Sequence, residues 1–213
     1  NEIEEAYVYL CGLGYYELYV NGNKVGDHVL DPGTTDYHKR VLYETYELTE
    51  KLQTGENAVA VMLGNGWFSP PDKMVEQSPA DLKKYGDRPK LILQLNVKFS
   101  DGTSANIVTD ESWKVSAGAI IENSIWNGEV YDARLEKTGW DCSNFDDSDW
   151  DNAVTVENPG GMLDSQLVPS IKVTKTVEPV EITEPKDGVY VFDFGQNLTG
   201  WPKLYVKGPK GTE

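Results

Sequence analysis

Basic residues, histidine, cysteine and long apolar runs are all scarce in this chain of 213 residues. No apolar stretch approaches the roughly 20 residues of a membrane-crossing helix, so membrane insertion is not expected. Nineteen lysines and arginines stand against thirty-five acidic residues, for a net charge of −16. This charge argues against a nucleic-acid partner, because a phosphate backbone needs a basic footprint. It suits a neutral partner such as a sugar.

The two cysteines, Cys11 and Cys142, lie far apart in the sequence. A disulfide between them is one interpretation, but spacing alone establishes no pairing, and two packed free thiols are favoured. The sequence contains no glycine-rich phosphate loop, no Ser-His-Asp set and no zinc-ligand spacing. With His28 and His38 as the only histidines, few residues are candidates for general acid–base catalysis.

Short strand-like segments separated by turn residues make up most of the chain. Tyr15–Val20 alternates apolar and polar residues, and Asn21-Gly22 tolerates a tight reversal, which predicts a hairpin with Val25–Leu30 as the returning strand. Ala58–Leu63 is continuously apolar, which predicts a strand buried on both faces. Asp101-Gly102 predicts a second hairpin, between residues 91–99 and 104–110. A short helical turn or tight corner is predicted within residues 45–52.

Two stretches depart from this pattern. Residues 70–88 contain three prolines and no strand period, which predicts a long surface excursion with one helical turn at Ala80–Lys84. An acidic polar stretch follows Glu136–Trp140, where we predict a domain boundary that separates residues 1–136 from 137–213. Strands are then predicted again at Ile171–Val180, Val189–Phe194 and Trp201–Val206.

These patterns predict an all-β fold. The first domain is expected to be an antiparallel β-sandwich of galactose-binding-like or jelly-roll type. The second is expected to be a further β-sandwich that is incomplete, because the chain ends in mid-pattern at Lys210–Glu213.

The stretch Tyr15–Gly66, which ends in the strand and turn AVAVMLGNG, resembles the N-terminal domain of bacterial α-L-rhamnosidases. The resemblance continues through Leu91–Val97 and through Gly128–Leu135, GEVYDARL, and covers most of residues 6–213. It implies a parent glycoside hydrolase that cleaves terminal α-L-rhamnosides with inversion, by one carboxylic acid and one carboxylate. Both groups would lie in a C-terminal helical barrel that this chain lacks, so no catalytic residue is assigned here.

The resemblance leaves two roles open for the fragment. In the first, it packs against or flanks the catalytic domain without touching sugar. In the second, it is a carbohydrate-binding module for rhamnose or another plant or bacterial glycan. A free-standing lectin is disfavoured by the mid-pattern end of the chain.

Aromatic and amide residues at strand ends are the first candidate sugar contacts. Sugars stack their C–H faces on flat aromatic rings, while planar polar groups bridge neighbouring hydroxyls. Trp67 follows a buried strand and so lies on a loop, where sandwiches present ligands. The candidates of this kind are Asn65, Trp67, Trp126 and Asn127. The alternative is that both tryptophans cover the core.

Asp36, His38 and Lys39 complete the candidate carbohydrate site. Some rhamnosidases carry a related module that binds rhamnose with calcium through an Asp-Asn pair, which aligns near His38-Lys39. This sequence has no Asp-Asn there, and Ser69-Pro70-Pro71 replaces the usual Arg-Gly. Both departures weigh against calcium and rhamnose, so no cofactor is predicted and calcium stays open. The alternative for His38 is a surface or packed histidine.

Two acidic motifs remain. Asp147-x-Asp149-x-Asp151 has calcium-loop spacing, but asparagine replaces the glycine at position six and the glutamate at position twelve. A turn that caps its own backbone is favoured, and no metal ligand is assigned. On a strand, Glu129 would face away from Asp132 and Arg134, so a structural ion pair between the last two is favoured over catalysis.

Overall fold

The computed structural model describes residues 1–76, 78, 84–209 and 211, and its regular structure is almost entirely β-strand, which confirms the all-β prediction. The strands are β1 (Ile3–Leu13), β2 (Tyr15–Val20), β3 (Asn23–Lys24), β4 (Arg40–Glu47), β5 (Val59–Gly64), β6 (Lys90–Phe99), β7 (Ser104–Val108), β8 (Lys114–Val115), β9 (Ile120–Ser124), β10 (Gly128–Tyr131), β11 (Asp151–Asn152), β12 (Met162–Ser165), β13 (Glu181–Lys186) and β14 (Val189–Asp193). One short helix, α1 (Asp72–Glu76), and one 3-10 helix (Ala133–Leu135) interrupt them. No helix in these ranges is long and apolar enough to cross a membrane.

The larger sheet has the strand order β12-β4-β1-β6-β7. Strand β1 lies at its centre and pairs antiparallel with both β4 and β6. Strand β12 departs from the predicted antiparallel pattern, because it runs parallel to β4 with Met162 opposite Arg40. A parallel neighbour needs a long connection, which local sequence patterns do not reveal.

The smaller sheet has the order β3-β2-β5, and the predicted hairpin turn lies between its first two strands. Asn21 and Gly22 both adopt positive φ, 50° and 78°, as a two-residue turn of this kind requires. The returning strand is only Asn23–Lys24, so the predicted strand at Val25–Leu30 is wrong. Gly26, with φ of 76°, turns the chain away before a longer ladder forms.

The main core lies between these two sheets. Alternate residues of β1, β2 and β6 supply it, because successive side chains of a strand point to opposite faces. Its fully or almost fully buried members include Ala6, Val8, Leu10, Tyr16, Leu18, Val20, Leu93, Leu95 and Val97. Burial of each large apolar side chain contributes about 1.5–3 kcal/mol.

Strand β5 is only half-buried, and Met62 is 38% exposed. The prediction that this strand is buried on both faces is therefore wrong. The reason is its position, since β5 pairs only with β2 and forms the edge of the smaller sheet.

A second apolar cluster covers part of the outer face of the larger sheet. It contains Cys11 and Leu13 of β1, with Tyr37, Val41 and Phe68 packed on them. Cys11 and Cys142 are both free, which confirms the prediction of two packed thiols. Burial raises the pKa of Cys11 to about 12, so its thiol stays protonated and unreactive.

Two further turn predictions agree with the structure. The backbone N–H groups of Lys51 and Leu52 both donate to the Leu48 carbonyl, which makes the predicted corner. Gly102, with φ of 83°, reverses the chain between β6 and β7. Within residues 70–88 the structure contains α1, and its Met74 is fully buried, so this part is no simple surface excursion. The predicted helical turn at Ala80–Lys84 lies almost wholly outside the described residues.

The chain forms two compact units, Asn1–Lys172 and Val173–Glu213, whereas the sequence suggested a boundary at residue 136. Residues that follow 136 pack into the first unit. Trp140 makes an edge contact with Tyr19, with ring centroids 5.3 Å apart, and the Asp141 carbonyl accepts a 2.9 Å hydrogen bond from the Gly22 N–H. The acidic stretch is therefore part of the sandwich, although its composition resembles that of a linker.

The second unit contains the hairpin of β13 and β14. Strand β14 matches the strand predicted at Val189–Phe194. The segments Ile171–Val180 and Trp201–Val206 form no strand in the part of the chain that the structure describes, so those two predictions are wrong. An apolar alternation becomes a strand only where a neighbouring strand takes up its backbone hydrogen bonds.

Candidate functional site

Several loops meet at one end of the first unit because of the strand pairing. Tyr15 at the start of β2 lies opposite Gly64 at the end of β5, and Leu13 lies opposite Lys90. The loops that continue from these positions, together with the turn between β9 and β10, form what we call the loop end: residues 31–39, 65–71, 84–89 and 124–127. All seven predicted carbohydrate contacts lie on it.

Three aromatic rings form the base of the loop end. Tyr37 packs edge-on against Phe68 at 5.3 Å and against Tyr85 at 5.0 Å, and Phe68 stacks on Tyr85 at 6.5 Å. The N–H groups of Tyr85 and Gly86 both donate to the Phe68 carbonyl. These contacts hold the 65–71 and 84–89 loops together, so Phe68 is a structural residue.

Trp67 and Trp126 are in contact at the loop end. Their ring centroids are 6.0 Å apart and their planes are nearly perpendicular, at 82°. Trp126 is 48% exposed, whereas Trp67 is half-buried. Burial raises the pKa of Tyr15, and the neighbouring Trp67 side chain partly offsets that rise. Trp126 therefore presents the larger surface for a sugar, although the sequence had favoured Trp67.

Both the backbone N–H and the side-chain amide of Asn65 donate hydrogen bonds to a second asparagine, Asn123. The Asn65 backbone N–H donates to Asn123 Oδ1 at 2.8 Å, and Asn65 Nδ2 donates to the Asn123 carbonyl at 3.3 Å. Asn123 lies on β9 and was missed by sequence reasoning, because nothing local marks it. Asn127 is exposed, and its backbone N–H donates to Ser124 Oγ at 3.2 Å.

Asp36, His38 and Lys39 form a tight turn on the same end. The Asp36 carboxylate accepts the His38 N–H at 3.2 Å and lies 3.6 Å from Lys39 Nζ. The His38 ring packs on Tyr85 with centroids 5.0 Å apart. The described contacts thus join these three residues to Tyr85, while Asn65 and the tryptophans lie in a separate group.

A partly buried polar network is built around Asp31, at the beginning of the 31–39 loop. His28 Nδ1 is 2.8 Å from Asp31 Oδ2, Gln166 Nε2 donates to Asp31 Oδ1 at 3.4 Å, and Ser170 Oγ donates to Glu44 Oε1 at 2.9 Å. Ligand atoms of His28, Asp31 and Glu44 lie within 4.8 Å of one another, and burial raises the pKa of both carboxyl groups. These are donor types that bind divalent metals, yet here they are hydrogen-bonded and fasten residues 166–170 to Asp31 and Glu44.

The acidic run after Trp140 behaves as a turn. Asp146 Oδ1 accepts the Ser148 N–H at 3.1 Å, and Trp150 packs edge-on against Phe145 at 5.5 Å. Lys137 Nζ lies 5.3 Å from the centre of the Trp150 ring. These contacts agree with the favoured interpretation of a self-capping turn.

Asp132 and Arg134 form the ion pair that was predicted from sequence. They do so from the 3-10 helix that follows β10, so the expected strand does not extend through them. Asp132 caps this helix, since its carboxylate also accepts the Arg134 N–H at 3.0 Å. The hydrogen bonds from Arg134 lower the pKa of Asp132 to about 2, so it is ionised at neutral pH.

Comparisons with known proteins agree with this architecture. The α-L-rhamnosidase N-terminal domain matches residues 1–175, and the bacterial α-L-rhamnosidase concanavalin-like domain matches residues 183–213. An α-L-rhamnosidase of Formosa agariphila is 40% identical over 99% of this chain and 22% of its own length.

Solved structures give the same result. The α-L-rhamnosidase of Dictyoglumus thermophilum has a TM-score of 0.83 and 48% identity, over 92% of this chain and 21% of its own. The Streptomyces avermitilis α-L-rhamnosidase complexed with L-rhamnose has a TM-score of 0.86 and 36% identity, over 93% of this chain and 19% of its own. The chain thus spans about a fifth of the relatives it matches. With a family domain that covers most of its residues, the chain belongs to the α-L-rhamnosidase family, with the N-terminal domain at residues 1–175 and the concanavalin-like match at residues 183–213.

Proposed function

We propose that this chain is the non-catalytic N-terminal part of a glycoside hydrolase that removes terminal α-L-rhamnose from rhamnose-containing glycans. One observation carries the proposal: the N-terminal domain match covers residues 1–175, while the chain spans only about a fifth of its relatives. The catalytic groups would then belong to the rest of the parent enzyme. The first unit would pack against or flank the catalytic domain.

The carboxylates of the described residues support this assignment. An inverting glycosidase needs an acid and a base about 6.5–9.5 Å apart, with room for a water molecule and the sugar between them. Asp31 and Glu44 lie closer than this, and hydrogen bonds to His28, Gln166 and Ser170 occupy them. Asp132 is bound to Arg134 and is held ionised, so it is a poor general acid.

We expect the purified 213-residue chain to give no turnover of an aryl α-L-rhamnoside. The physical reason is that neighbouring side chains bind the carboxyl groups of Asp31, Glu44 and Asp132, which are therefore not free to act as acid or base. Release of the aryl alcohol is measured against a buffer blank and against the Glu44→Gln and Asp132→Asn variants. Turnover that either substitution abolishes would contradict the proposal.

Rhamnose binding at the loop end is the second candidate function. The contact between Trp67 and Trp126 favours it, since one indole braces the other while about half of Trp126 stays open to solvent. Aromatic rings held in this way present a flat apolar surface to a sugar at little entropic cost. The exposed amide of Asn127 lies beside it in sequence and would select hydroxyl groups.

On this second hypothesis, Trp126→Ala should abolish measurable L-rhamnose binding, whereas Trp67→Ala should weaken it by loss of the brace. The wild-type dissociation constant should be on the order of 0.1–10 mM, because a shallow site buries few atoms of a monosaccharide. Tryptophan fluorescence and amide NMR shifts measure it, with and without calcium.

Trp201→Ala is the matched control, because that indole is 58% exposed and lies in the second unit. No shifts at tens of millimolar rhamnose would reject the binding hypothesis and leave the flanking role.

A further inference from the structure

We propose that the open outer face of the larger sheet binds a neutral oligosaccharide chain, at a site distinct from the loop end. The second apolar cluster buries this face at Cys11 and Leu13, whereas Tyr9, further along the same strand, is exposed. A shallow depression of about 580 Å³ lies over the uncovered strands β1, β6 and β7. The inference goes beyond the proposed function and rests on it only for the identity of the terminal sugar.

Strand register builds the groove from cross-strand rows. Tyr7 of β1 lies opposite Asn96 of β6, which in turn lies opposite Asn106 of β7, and Tyr9 lies opposite Gln94. Cross-strand neighbours in a sheet lie about 5 Å apart, so these side chains form a continuous surface. Their orientation is secure, because their chain neighbours Ala6, Val8 and Leu95 are buried in the core on the opposite face.

The side chains in these rows are of the kinds that recognise sugars. Tyr9 is 36% exposed and its ring is held edge-on by Tyr43, with centroids 6.1 Å apart. Gln94 Nε2 donates to Asn96 Oδ1 at 3.0 Å, which orients both amides. Amides supply donors and acceptors in one plane, and a phenol adds a flat apolar ring with a polar tip. A row of this composition can bridge adjacent hydroxyls and stack a pyranose face.

Charge and length select the class of glycan. Lys98, the one cation among the described residues that line the groove, is 3.0 Å from Glu4, and Glu5 adds a negative charge beside it. On a chain of net charge −16, this face repels polyanionic glycans and accepts neutral ones. The groove extends along β1 from Glu5 to Tyr9, about 13 Å of strand, which is longer than one monosaccharide. The occupant is therefore an oligosaccharide chain.

A protein partner is less well suited to this groove. Protein interfaces usually centre on large apolar or aromatic anchors that enter deep pockets. Here the depression is shallow, and most of the side chains that face it are amides, hydroxyls and charges. These groups would lose their hydration against a protein core without a full set of new partners, whereas sugar hydroxyls can replace water at each of them.

The test is a titration of the 213-residue chain with a neutral, rhamnose-terminated tetrasaccharide, followed by amide NMR. We expect shifts along β1, β6 and β7, and a loss of affinity of about fivefold or more in both Tyr9→Ala and Asn106→Ala. Asn106→Ala is included because this exposed side chain on an edge strand can be removed without loss of the fold. Ile92→Ala is the matched control, since Ile92 is 55% exposed on the same face but does not line the groove.

Two comparison ligands separate this proposal from the proposed function. L-Rhamnose alone should cause no shifts in the groove, and a polyanionic oligogalacturonate of equal length should bind at least about tenfold more weakly. Tetrasaccharide shifts confined to the loop end, or affinity that Tyr9→Ala and Asn106→Ala leave unchanged, would overturn the groove. Neither result would affect the aryl rhamnoside prediction, so the two proposals can fail separately.

Discussion

Replacing Phe68 with alanine should lower the free energy of unfolding of the first unit by about 3–5 kcal/mol. The ring is fully buried and touches Tyr37 and Tyr85, while Lys90 Nζ lies 5.7 Å from its centre. Its removal would leave a cavity between loops that cannot collapse easily, because strands on both sides fix their ends. Urea denaturation followed by circular dichroism measures the effect.

Tyr131→Ala is the control for this experiment, because Tyr131 is aromatic, lies in the same unit and is half-exposed. It should cost no more than about 1 kcal/mol. Hydrogen exchange should also rise in residues 65–71 and 84–89 of the Phe68 variant, since these loops share the lost contacts. Equal destabilisation by both substitutions would mean that Phe68 does not hold the loop end together.

Replacing Gly14 with alanine should cost about 3–5 kcal/mol, although it adds a single methyl group. Gly14 has φ of 107°, and a Cβ atom there would lie 2.1 Å from the Gly64 carbonyl oxygen and 2.9 Å from that of Asn65. Backbone cannot move aside as a flexible side chain can. The chain would have to separate β2 from β5 at the point where the loop end begins.

Gly102→Ala is the matched control, because it isolates the conformational part of this cost. Gly102 also has positive φ, 83°, but no atom lies within 4 Å of the position of its Cβ. It should therefore lose only about 1–2 kcal/mol of stability from backbone strain. If the two variants have the same melting temperature, the close approach of Gly14 to Gly64 does not limit stability.

Much of the fold was predictable from local sequence. Strands β2 and β6 lie where the sequence predicted strands, and Asn21-Gly22 and Asp101-Gly102 mark the hairpin turns. Each of these signals depends on a few consecutive residues, whose φ preferences and side-chain period act over short distances. The resemblance carried by Tyr15–Gly66 also identified the family correctly.

Contacts between distant segments were not predictable in this way. No local pattern shows that β12 pairs parallel with β4. Nor does one show that Asn65 donates a hydrogen bond to Asn123, or that Gln166 donates one to Asp31. The true extent of the first unit has the same origin, since Trp140 and Asp141 belong to it only through their contacts with Tyr19 and Gly22.

The sequence by itself determined that the chain is all-β, that it belongs to the α-L-rhamnosidase family, and which residues lie near strand ends. Only the tertiary structure decided that Trp126 is the open indole and Phe68 the buried ring, and that Tyr9 shares one surface with Gln94. The physical reason is that burial and register are properties of the packed sheets. The type of a residue sets which interactions its side chain can make, and its neighbours across the sheet determine which of these interactions form.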